Sequence, residues 1–325
     1  MDMALLLRHE DVCASVTMAD AIAAMEGAFR EEGEGAVLLP PRTNMKAGKG
    51  WLRVGPVSLE RSGWMGFKAM NLAPGHGVRY QVHLYRADSG ELLSIMDAQH
   101  LTTLRTGATS AVATKRLARS GPAAVALLGS GVEARAQLEA MQALGIVKSA
   151  RVYSPTTANR ERLAEEFRRE HDINIRPVAS AREAVQGSEI VLAAVKSTQT
   201  VVFGEWLMPG MHVNSVGTAR RDQREIDPVT FQRSAITVVD TREGVFGEAG
   251  DAVAAKDVVR PDQVYELAEL VVGKAPVRSS NDQITLFKSV GTGLQDIALA
   301  AKIYQNATER GLGMSFHGFP IVKKG

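Results

Sequence analysis

Three cationic side chains in the first part of the chain are candidate ligands for a carboxylate. Arg42 follows two prolines, Lys68 stands between Phe67 and Ala69 in an apolar segment, and Arg105 lies among small residues. Taken singly, each is more typical of an ordinary surface or salt-bridged residue. As a set they predict a clamp for a substrate carboxylate, because a guanidinium presents a fork of donors that matches the two carboxylate oxygens.

A glycine-bearing turn further along the chain has the chemistry of a phosphate site. Residues 129–134 fit the pattern G-x-G-x-x-A directly after the apolar segment Ala123–Leu128. Gly129 permits a tight strand-to-helix turn, Gly131 lets a pyrophosphate approach the backbone, and Ala134 allows close packing of helix and strand. The helix N-terminus offers unpaired N–H groups to the phosphates. The turn predicts dinucleotide binding; the alternative is a tight turn without a ligand.

The residue that ends the second strand of such a domain selects between the two dinucleotides. An acid there accepts hydrogen bonds from the ribose 2′-hydroxyl and repels a 2′-phosphate. Here the segment reads Ser154-Pro155-Thr156-Thr157, with Arg160 nearby and no carboxylate. Hydroxyl groups and a guanidinium suit a 2′-phosphate, which favours NADP over NAD. The alternative is that Arg160 is a solvated residue in the first turn of the next helix.

Two successive patterns of secondary structure are expected to position these groups. An early helix capped by Thr17 precedes β-like segments near 38–44, 51–54, 64–70, 80–85 and 92–97, and a helix is expected over 101–117. From Ala123 onward, strands alternate with helices, which is typical of a parallel sheet covered on both faces. The joint at Ser120–Pro122 is the best-marked domain boundary. The last helix is expected over 294–305.

Composition narrows the class of protein. The chain has 325 residues and a formal net charge of +2, which does not suggest nucleic acid or an anionic membrane as a partner. Its single cysteine, Cys13, suits a reducing compartment, and no targeting segment is apparent, so we expect a cytoplasmic protein. No Cys/His set has the spacing of metal ligands. His83 and His212 lie in expected strands and are interpreted as structural.

These motifs together resemble the ornithine cyclodeaminase/μ-crystallin family over nearly the whole chain. The resemblance rests on Lys68 and on four further stretches: Asp97-x-x-x-Leu101-Thr102-x-Leu104-Arg105-Thr106-x-Ala108, Gly129-Ser130-Gly131, Arg224-Glu225-Ile226-Asp227, and Lys288-Ser289-Val290-Gly291 with Asp296. The implied fold is α/β, with a Rossmann-type dinucleotide-binding domain (121–284) inserted in a discontinuous α+β substrate and dimerisation domain (1–120 plus 285–325). The implied assembly is a homodimer.

The resemblance also implies roles for individual residues. Residues matching Arg42, Lys68 and Arg105 bind the substrate carboxylate, and the match at Val290 touches substrate. The expected contacts of NAD(P)H are Gln81, Arg105, Thr106, Gly129, Ser130, Gly131, Val132, Glu133, Ser154, Thr156, Arg160, Ser197, Val216 and Ser289. The cations are expected to converge on the nicotinamide end of the dinucleotide.

One departure from the family pattern bears on the reaction. Cyclodeaminases carry an acid soon after the glycine that ends the strand matching 211–216, whereas this chain has Thr218 and Ala219, with Asp222 displaced. Ring closure needs a residue that trades protons with amines, so the departure favours reduction of an α-imino acid, cyclic or acyclic, to an α-amino acid. The alternatives are an NAD-dependent cyclodeaminase of ornithine or lysine and a non-catalytic protein that binds NADP and a small ligand.

Two further features are left open by the sequence. His76 and Arg79, in the glycine-rich stretch 74–79, either contact a second substrate carboxylate or are solvated groups of a mobile loop, the second being the simpler interpretation. Trp51 and Trp64 either anchor a dimer interface or belong to the core.

Overall fold

The computed structural model describes residues 3–319, which form two compact units. Among the described residues, unit 1 comprises 3–105 and 292–319, and unit 2 comprises 106–291. The first boundary falls inside a continuous helix, Gln99–Leu117, and the second falls after the last strand of the second sheet. From the sequence, the domain boundaries were predicted at 120/121 and 284/285.

Unit 1 is built on a mixed sheet. Its strands are β1 (Met3–Leu7), β2 (Val37–Leu38), β3 (Thr43–Ala47), β4 (Gly50–Leu59), β5 (Trp64–Ala73), β6 (Gly77–Arg86), β7 (Leu92–Asp97) and, near the chain end, β16 (Met314–His317). The spatial order is β16-β1-β7-β6-β5-β4-β2, with β3 paired to β4. All neighbours are antiparallel except β1 and β7.

Three helices cover one face of this sheet, which we call the inner face. They are α1 (His9–Ser15), α2 (Met18–Gly33) and α11 (Gly293–Arg310). Thr17 caps α2, as expected, in a reciprocal capping box with Asp20. Side chains alternate along the strands, so Lys68, Val82 and Met96 lie side by side on the inner face.

Unit 2 contains an eight-stranded sheet in which every pair is parallel. Its strands are β8 (Ala123–Leu128), β9 (Val147–Tyr153), β10 (Ile175–Pro177), β11 (Ile190–Ala193), β12 (His212–Ser215), β13 (Ser234–Val239), β14 (Tyr265–Glu266) and β15 (Ile284–Lys288). The order β10-β9-β8-β11-β12-β15-β13-β14 reverses direction between β8 and β11. Doubly wound sheets bind their ligands at such a switch point, beyond the carboxyl ends of the strands.

Helix α3 (Gln99–Leu117) precedes β8 in the chain, and further helices connect the parallel strands. The connecting helices are α4 (Val132–Ala143), α5 (Thr157–His171), α6 (Ala181–Val185), α7 (Pro228–Arg233), α8 (Arg242–Glu248), α9 (Gly250–Ala254) and α10 (Leu267–Val271), with short 3-10 turns at Gly204–Trp206 and Pro261–Gln263. The central strands β8 and β11 are continuous apolar runs because both faces of the sheet are covered there. The α/β class with a Rossmann-type domain is confirmed.

The two tryptophans of unit 1 lie in different surroundings. Trp64 is core: it is 8% exposed and meets the Tyr304 ring edge-on, whereas Trp51 is half-buried. Within residues 3–319, no single helix could cross a membrane by length and composition; α1 and α2 together pass that test, with a bend of 82°. In the same residues, no three His, Cys, Asp or Glu side chains come together as metal ligands.

Candidate functional site

Lys68 is the centre of a buried ionic cluster in unit 1. It lies in the middle of β5 and is 5% exposed. Its Nζ donates to Asp296 Oδ1 at 2.7 Å and to Thr102 Oγ1 at 3.4 Å. Because α11 begins directly over this part of the sheet, Asp296 in its first turn faces Lys68.

Arg105 joins the same cluster from α3. Its Nε donates to Asp296 Oδ1 at 3.2 Å, and its Nη1 donates to Gln295 Oε1 at 2.9 Å. The guanidinium is thus fixed at two points by neighbouring residues of α11. A single carboxylate oxygen of Asp296 therefore accepts from both Lys68 and Arg105.

Arg42 reaches the cluster across the sheet. Its Cγ lies 3.5 Å from where a Cβ of Gly55 would stand, and Gly55 is the register partner of Lys68. The aliphatic part of Arg42 therefore lies directly over Gly55. The three predicted cations therefore converge in unit 1, and Arg42, Arg105 and Asp296 are the charged groups that act on Lys68.

The electrostatic balance keeps Lys68 near its titration point. Burial lowers the pKa of the Lys68 ammonium from 10.5 to about 8, the charge of Asp296 opposes the shift, and Arg105 and Arg42 add to it. Lys68 is consequently a cation at neutral pH that can give up its proton with little cost. Asp296 belongs to a stretch that carries the family resemblance, but the sequence assigns it no role. Nothing in the sequence shows that α11 returns to β5.

The predicted cofactor residues of unit 2 follow the carboxyl ends of its parallel strands. The turn 129–131 follows β8, Ser154 follows β9, Ser197 and Val216 come shortly after β11 and β12, and Ser289 and Val290 follow β15. Since neighbouring parallel strands end at one edge, the sheet brings these segments together there. Thr106 is buried on α3, where its carbonyl accepts from the Gln137 amide at 3.1 Å.

The turn after β8 fits a dinucleotide pyrophosphate. Gly129 has φ +115°, and a Cβ there would stand 2.6 Å from the Ala194 carbonyl oxygen. A Cβ on Gly131 would meet nothing within 4 Å, so the space in front of it is open. Gly131 is the N-cap of the twelve-residue α4 and supplies no side-chain cap, and Val132 is 61% exposed. The first N–H groups of α4 are placed to receive phosphate oxygens.

The end of β9 carries the groups that would meet the adenosine ribose. Ser154 is buried, and its hydroxyl accepts from Ser130 Oγ at 2.9 Å and donates to the Thr156 carbonyl. Arg160 Nη1 donates to the Ser154 carbonyl oxygen at 2.8 Å, and its guanidinium lies 5.9 Å from the centre of the Tyr153 ring. These contacts hold Arg160 against the strand end and not out in solvent.

A buried acid, Asp240, organises the loop that follows β15. Asp240 ends the run of β13 and accepts from Ser289 Oγ at 2.7 Å, from Val290 N at 3.1 Å and from Gly291 N at 2.6 Å. Asp240 is buried. It therefore fixes the backbone of Ser289 and Val290, which are predicted to touch cofactor and substrate. The sequence signal that could have identified Asp240 is an acid at the end of an apolar strand.

A second buried ionic cluster lies at the ends of β12 and β15. Lys288 Nζ is 2.7 Å from Asp251 Oδ2, 2.7 Å from Thr218 Oγ1 and 3.7 Å from Glu225 Oε1. Glu225 in turn accepts from the Val195 and Gly217 amides at 3.0 and 2.8 Å. Burial raises the pKa of Glu225 to about 7, with Lys288 opposing and Asp251 adding to the shift. The cluster clamps the loops that follow β11 and β12.

Two of the expected site residues occupy other surroundings. Gln81 is exposed and lies on the sheet face opposite Lys68, because it pairs with Ala69 on β5. The Ser197 hydroxyl takes part in a local turn, where it donates to the Gln199 carbonyl oxygen at 2.7 Å. Among the histidines, His212 is buried with Nδ1 2.9 Å from Thr285 Oγ1, and His83 stacks on Phe67.

Residues 2–311 match the sequence pattern of the ornithine cyclodeaminase/mu-crystallin family. The chain belongs to this family. It is 30% identical to an alanine dehydrogenase of Archaeoglobus fulgidus, an alignment covering 98% of this chain and 99% of that protein. It is 31% identical to the ketimine reductase mu-crystallin of Mus musculus, covering 86% and 88% of the two chains.

A solved relative has the same fold. The Δ1-pyrroline-2-carboxylate reductase of Thermococcus litoralis, in complex with NADH and L-proline, superposes with a TM-score of 0.91, at 36% identity, over 95% of this chain and 99% of that one. The family prediction is confirmed. The chain is an NAD(P)-dependent oxidoreductase that acts on CH–NH2 or C=N groups, as expected.

Proposed function

We propose that this protein reduces an α-imino acid to the corresponding α-amino acid with NAD(P)H. The observation that carries the proposal is the convergence of Arg42, Lys68 and Arg105 around one buried carboxylate, Asp296. Ammonium and guanidinium groups gathered at one place supply the donors that a substrate carboxylate needs. The relatives named as ketimine and pyrroline-2-carboxylate reductases support the C=N group as the electrophile.

The cofactor and the side chains of the protein supply different parts of the proposed reaction. A bound reduced nicotinamide supplies a hydride for Cα of the imine, and the turn 129–131 with the N-terminus of α4 would hold its pyrophosphate. Arg105 and Arg42 fix the substrate carboxylate. Lys68 binds the same carboxylate and holds a proton at Nζ, which the imine nitrogen can take up. In the overall reaction, one imine takes up one hydride and one proton and becomes one amine.

The cyclodeaminase alternative has less support. The two positions expected to carry its acid are occupied by Thr218 and Ala219. The Thr218 hydroxyl is buried and donates to Asp251 Oδ2 at 2.7 Å. Asp222, the displaced acid, is 58% exposed and paired with Arg220 at 2.7 Å. Neither group is arranged to exchange protons with an amine during ring closure.

We also propose that NADPH is the preferred reductant. The proposal is supported by Arg160 at the end of β9 and by the hydroxyl groups of Ser154 and Thr156, with no acid in that segment. A guanidinium there would pair with a 2′-phosphate.

We further propose a homodimer joined through the outer face of the unit 1 sheet. The helices of unit 1 pack on the inner face. The outer face carries Phe67 stacked on His83 at 4.7 Å and the exposed apolar side chains of Leu6 and Met314. A hollow of about 400 Å³ beside Phe67 and Tyr85 has mostly apolar walls. A second copy would bury this surface; a monomer in sedimentation experiments would refute it.

A cofactor-oxidation screen tests the proposed reaction. Preformed Δ1-pyrroline-2-carboxylate and mixtures of 2-oxo acids with ammonia or methylamine are each offered with NADH and with NADPH. We expect oxidation of the nucleotide coupled to formation of an amino acid. Conversion of ornithine alone to proline and ammonia, without net cofactor change, would instead establish the cyclodeaminase reaction.

A further inference from the structure

The aromatic ring of Tyr80 lies against the ammonium group of Lys68. The Nζ atom of Lys68 is 5.8 Å from the centre of that ring, which is within the range of a cation–π contact. Tyr80 on β6 is the register partner of Met70, which stands two positions after Lys68 on β5. Both residues therefore lie on the inner face, and their side chains meet diagonally across paired strands.

Lys68 stands where the helical cover of the inner face ends. α11 begins over Gly55, the register partner of Lys68, and runs toward the start of β5, where Tyr304 of the helix meets the Trp64 ring. Tyr80 lies beyond the start of α11 and is half-buried. The ammonium group therefore has the acid of α11 as one neighbour and an aromatic ring as another, on the part of the face that α11 does not cover.

The main chain holds Tyr80 in place independently of its side chain. Its carbonyl oxygen accepts from the Ala98 amide at 3.1 Å, directly before α3. The Ala98 carbonyl oxygen accepts from Thr102 Oγ1 at 2.6 Å, and that hydroxyl accepts from Lys68 Nζ at 3.4 Å. A substitution of the Tyr80 side chain leaves each of these contacts in place.

A ring next to Lys68 has an electrostatic effect that a further acid could not supply without cost. Asp296 of α11 favours the ammonium form, whereas burial, Arg105 of α3 and Arg42 before β3 lower the pKa of Lys68. The face of an aromatic ring carries partial negative charge and attracts a cation. A second carboxylate in the place of the ring would repel the carboxylate of a substrate, and a neutral ring does not.

We propose that Tyr80 is a positioning residue for Lys68, whose ammonium group its ring holds in place and favours in the protonated form. This rests on the proposed imine reduction and adds a residue to it. The proton that the imine nitrogen takes up leaves Lys68 Nζ, which becomes a neutral amine, and no bond to Tyr80 forms or breaks. The phenol hydroxyl has no part in this role, so phenylalanine should replace Tyr80 and an aliphatic residue should not.

The pH dependence of kcat/KM tests this role in Tyr80→Phe, Tyr80→Leu and the control Tyr265→Leu. Tyr265 is a half-buried strand tyrosine of unit 2. Because loss of the ring removes an attraction for the ammonium form, we expect Tyr80→Leu to move the decline of kcat/KM at high pH toward lower pH. The expected shift is roughly 0.5–1.5 pH units, the range that a cation–π contact spans. Tyr80→Phe and Tyr265→Leu should keep the wild-type profile.

Two outcomes of this experiment would overturn the role of Tyr80 while leaving imine reduction intact. An unchanged profile in Tyr80→Leu, in protein whose melting temperature shows that it is folded, would mean that the ring does not act on Lys68. An equal shift in Tyr80→Phe would assign the effect to the hydroxyl group and not to the ring.

Direct titration of Lys68 gives a readout that needs no turnover. Protein with an NMR-visible carbon isotope at lysine Cε is titrated, and the Lys68 signal is identified by its loss in Lys68→Arg. We expect a lower midpoint in Tyr80→Leu than in wild type, and the wild-type midpoint in Tyr80→Phe. The same midpoint in all three proteins would refute the role of Tyr80, whatever the activity. The expected midpoints in a protein that reduces no imine would instead refute the proposed reaction and leave the contact between Tyr80 and Lys68 established.

Discussion

Asp296 Oδ1 lies 2.7 Å from the Nζ of Lys68, and both side chains are almost fully buried. The pair joins residues that are 228 positions apart in the chain. The same oxygen accepts from Arg105, so one carboxylate orients two of the three predicted substrate cations. Asp296 is therefore a positioning residue whose negative charge favours the protonated form of Lys68 against the effect of burial.

Replacing Asp296 should change the pH dependence of catalysis. Since burial lowers the pKa of Lys68 to about 8 and Asp296 opposes that shift, Asp296→Asn should lower it further. The decline of kcat/KM at high pH should then move to lower pH, with a rise in KM. Asp296→Glu should restore part of the wild-type profile, and Glu309→Gln, an exposed acid at the end of the same helix, should have no effect. A profile unchanged in Asp296→Asn would show that Asp296 does not set the Lys68 proton.

Substitutions at the two glycines of the phosphate turn should have different effects, one on the stability of the fold and the other on dinucleotide binding. An alanine at Gly129 would place its Cβ 2.6 Å from the Ala194 carbonyl oxygen at φ +115°, so Gly129→Ala should destabilise unit 2 by roughly 1–3 kcal/mol. A side chain at Gly131 meets open space, so Gly131→Val should leave the melting temperature unchanged and block the pyrophosphate.

Thermal melts and nucleotide fluorescence titrations check this pair. We expect Gly131→Val to weaken NAD(P)H binding by an order of magnitude or more. Wild-type affinity in Gly131→Val would mean that the dinucleotide does not lie against this turn.

Arg160 should determine the choice of dinucleotide. If its guanidinium meets the 2′-phosphate, Arg160→Ala should weaken NADPH binding by about tenfold, the magnitude of one charge-assisted contact, and leave NADH binding nearly unchanged. Arg162→Ala, an exposed arginine of the same helix, serves as the control. Equal losses for both nucleotides, or a wild-type preference for NADH, would refute the proposed NADPH selectivity.

The buried cluster of unit 2 should make stability depend on pH. The pKa of Glu225 is raised from 4.5 to about 7, so between these values the folded chain binds its proton more tightly than the unfolded chain. The free energy of unfolding should therefore fall as pH rises through this window, by about 1.4 kcal/mol per unit of pKa shift. Glu225→Gln should remove this slope and the exposed control Glu161→Gln should not. Parallel stability curves for wild type and Glu225→Gln in urea unfolding would contradict the account.

The periodic parts of the fold were predictable from the sequence because local patterns decide them. The apolar run Ala123–Leu128 is a strand with the predicted limits, and the helix capped by Thr17 starts where its capping box requires. The short strands β10, β14 and β16 were missed, since two to four residues carry too little pattern and are fixed by pairing with longer neighbours.

The residue types of the site could be predicted from the sequence, but the contacts between these residues could not. The cations and the glycine turn could be selected because their chemistry is evident in isolation. The partners that orient them, Asp296 for Lys68 and Asp240 for Ser289, come from distant segments of each unit, and no local pattern joins them. The expected role of Gln81 illustrates the same limit, since a shift of one residue along a strand reverses the face on which a side chain lies.

Transfer of a label is the most direct test of the central claim. The reduced nucleotide, deuterated at the transferable position of the nicotinamide, is incubated with the protein and a panel of α-imino acids, and the amino acid product is analysed by mass spectrometry and NMR. We predict one deuterium at Cα of the product for each nucleotide oxidised, with the label lost in Lys68→Met because turnover falls. Amino acid formed without deuterium at Cα, or no nucleotide oxidised with any imine, would contradict the account.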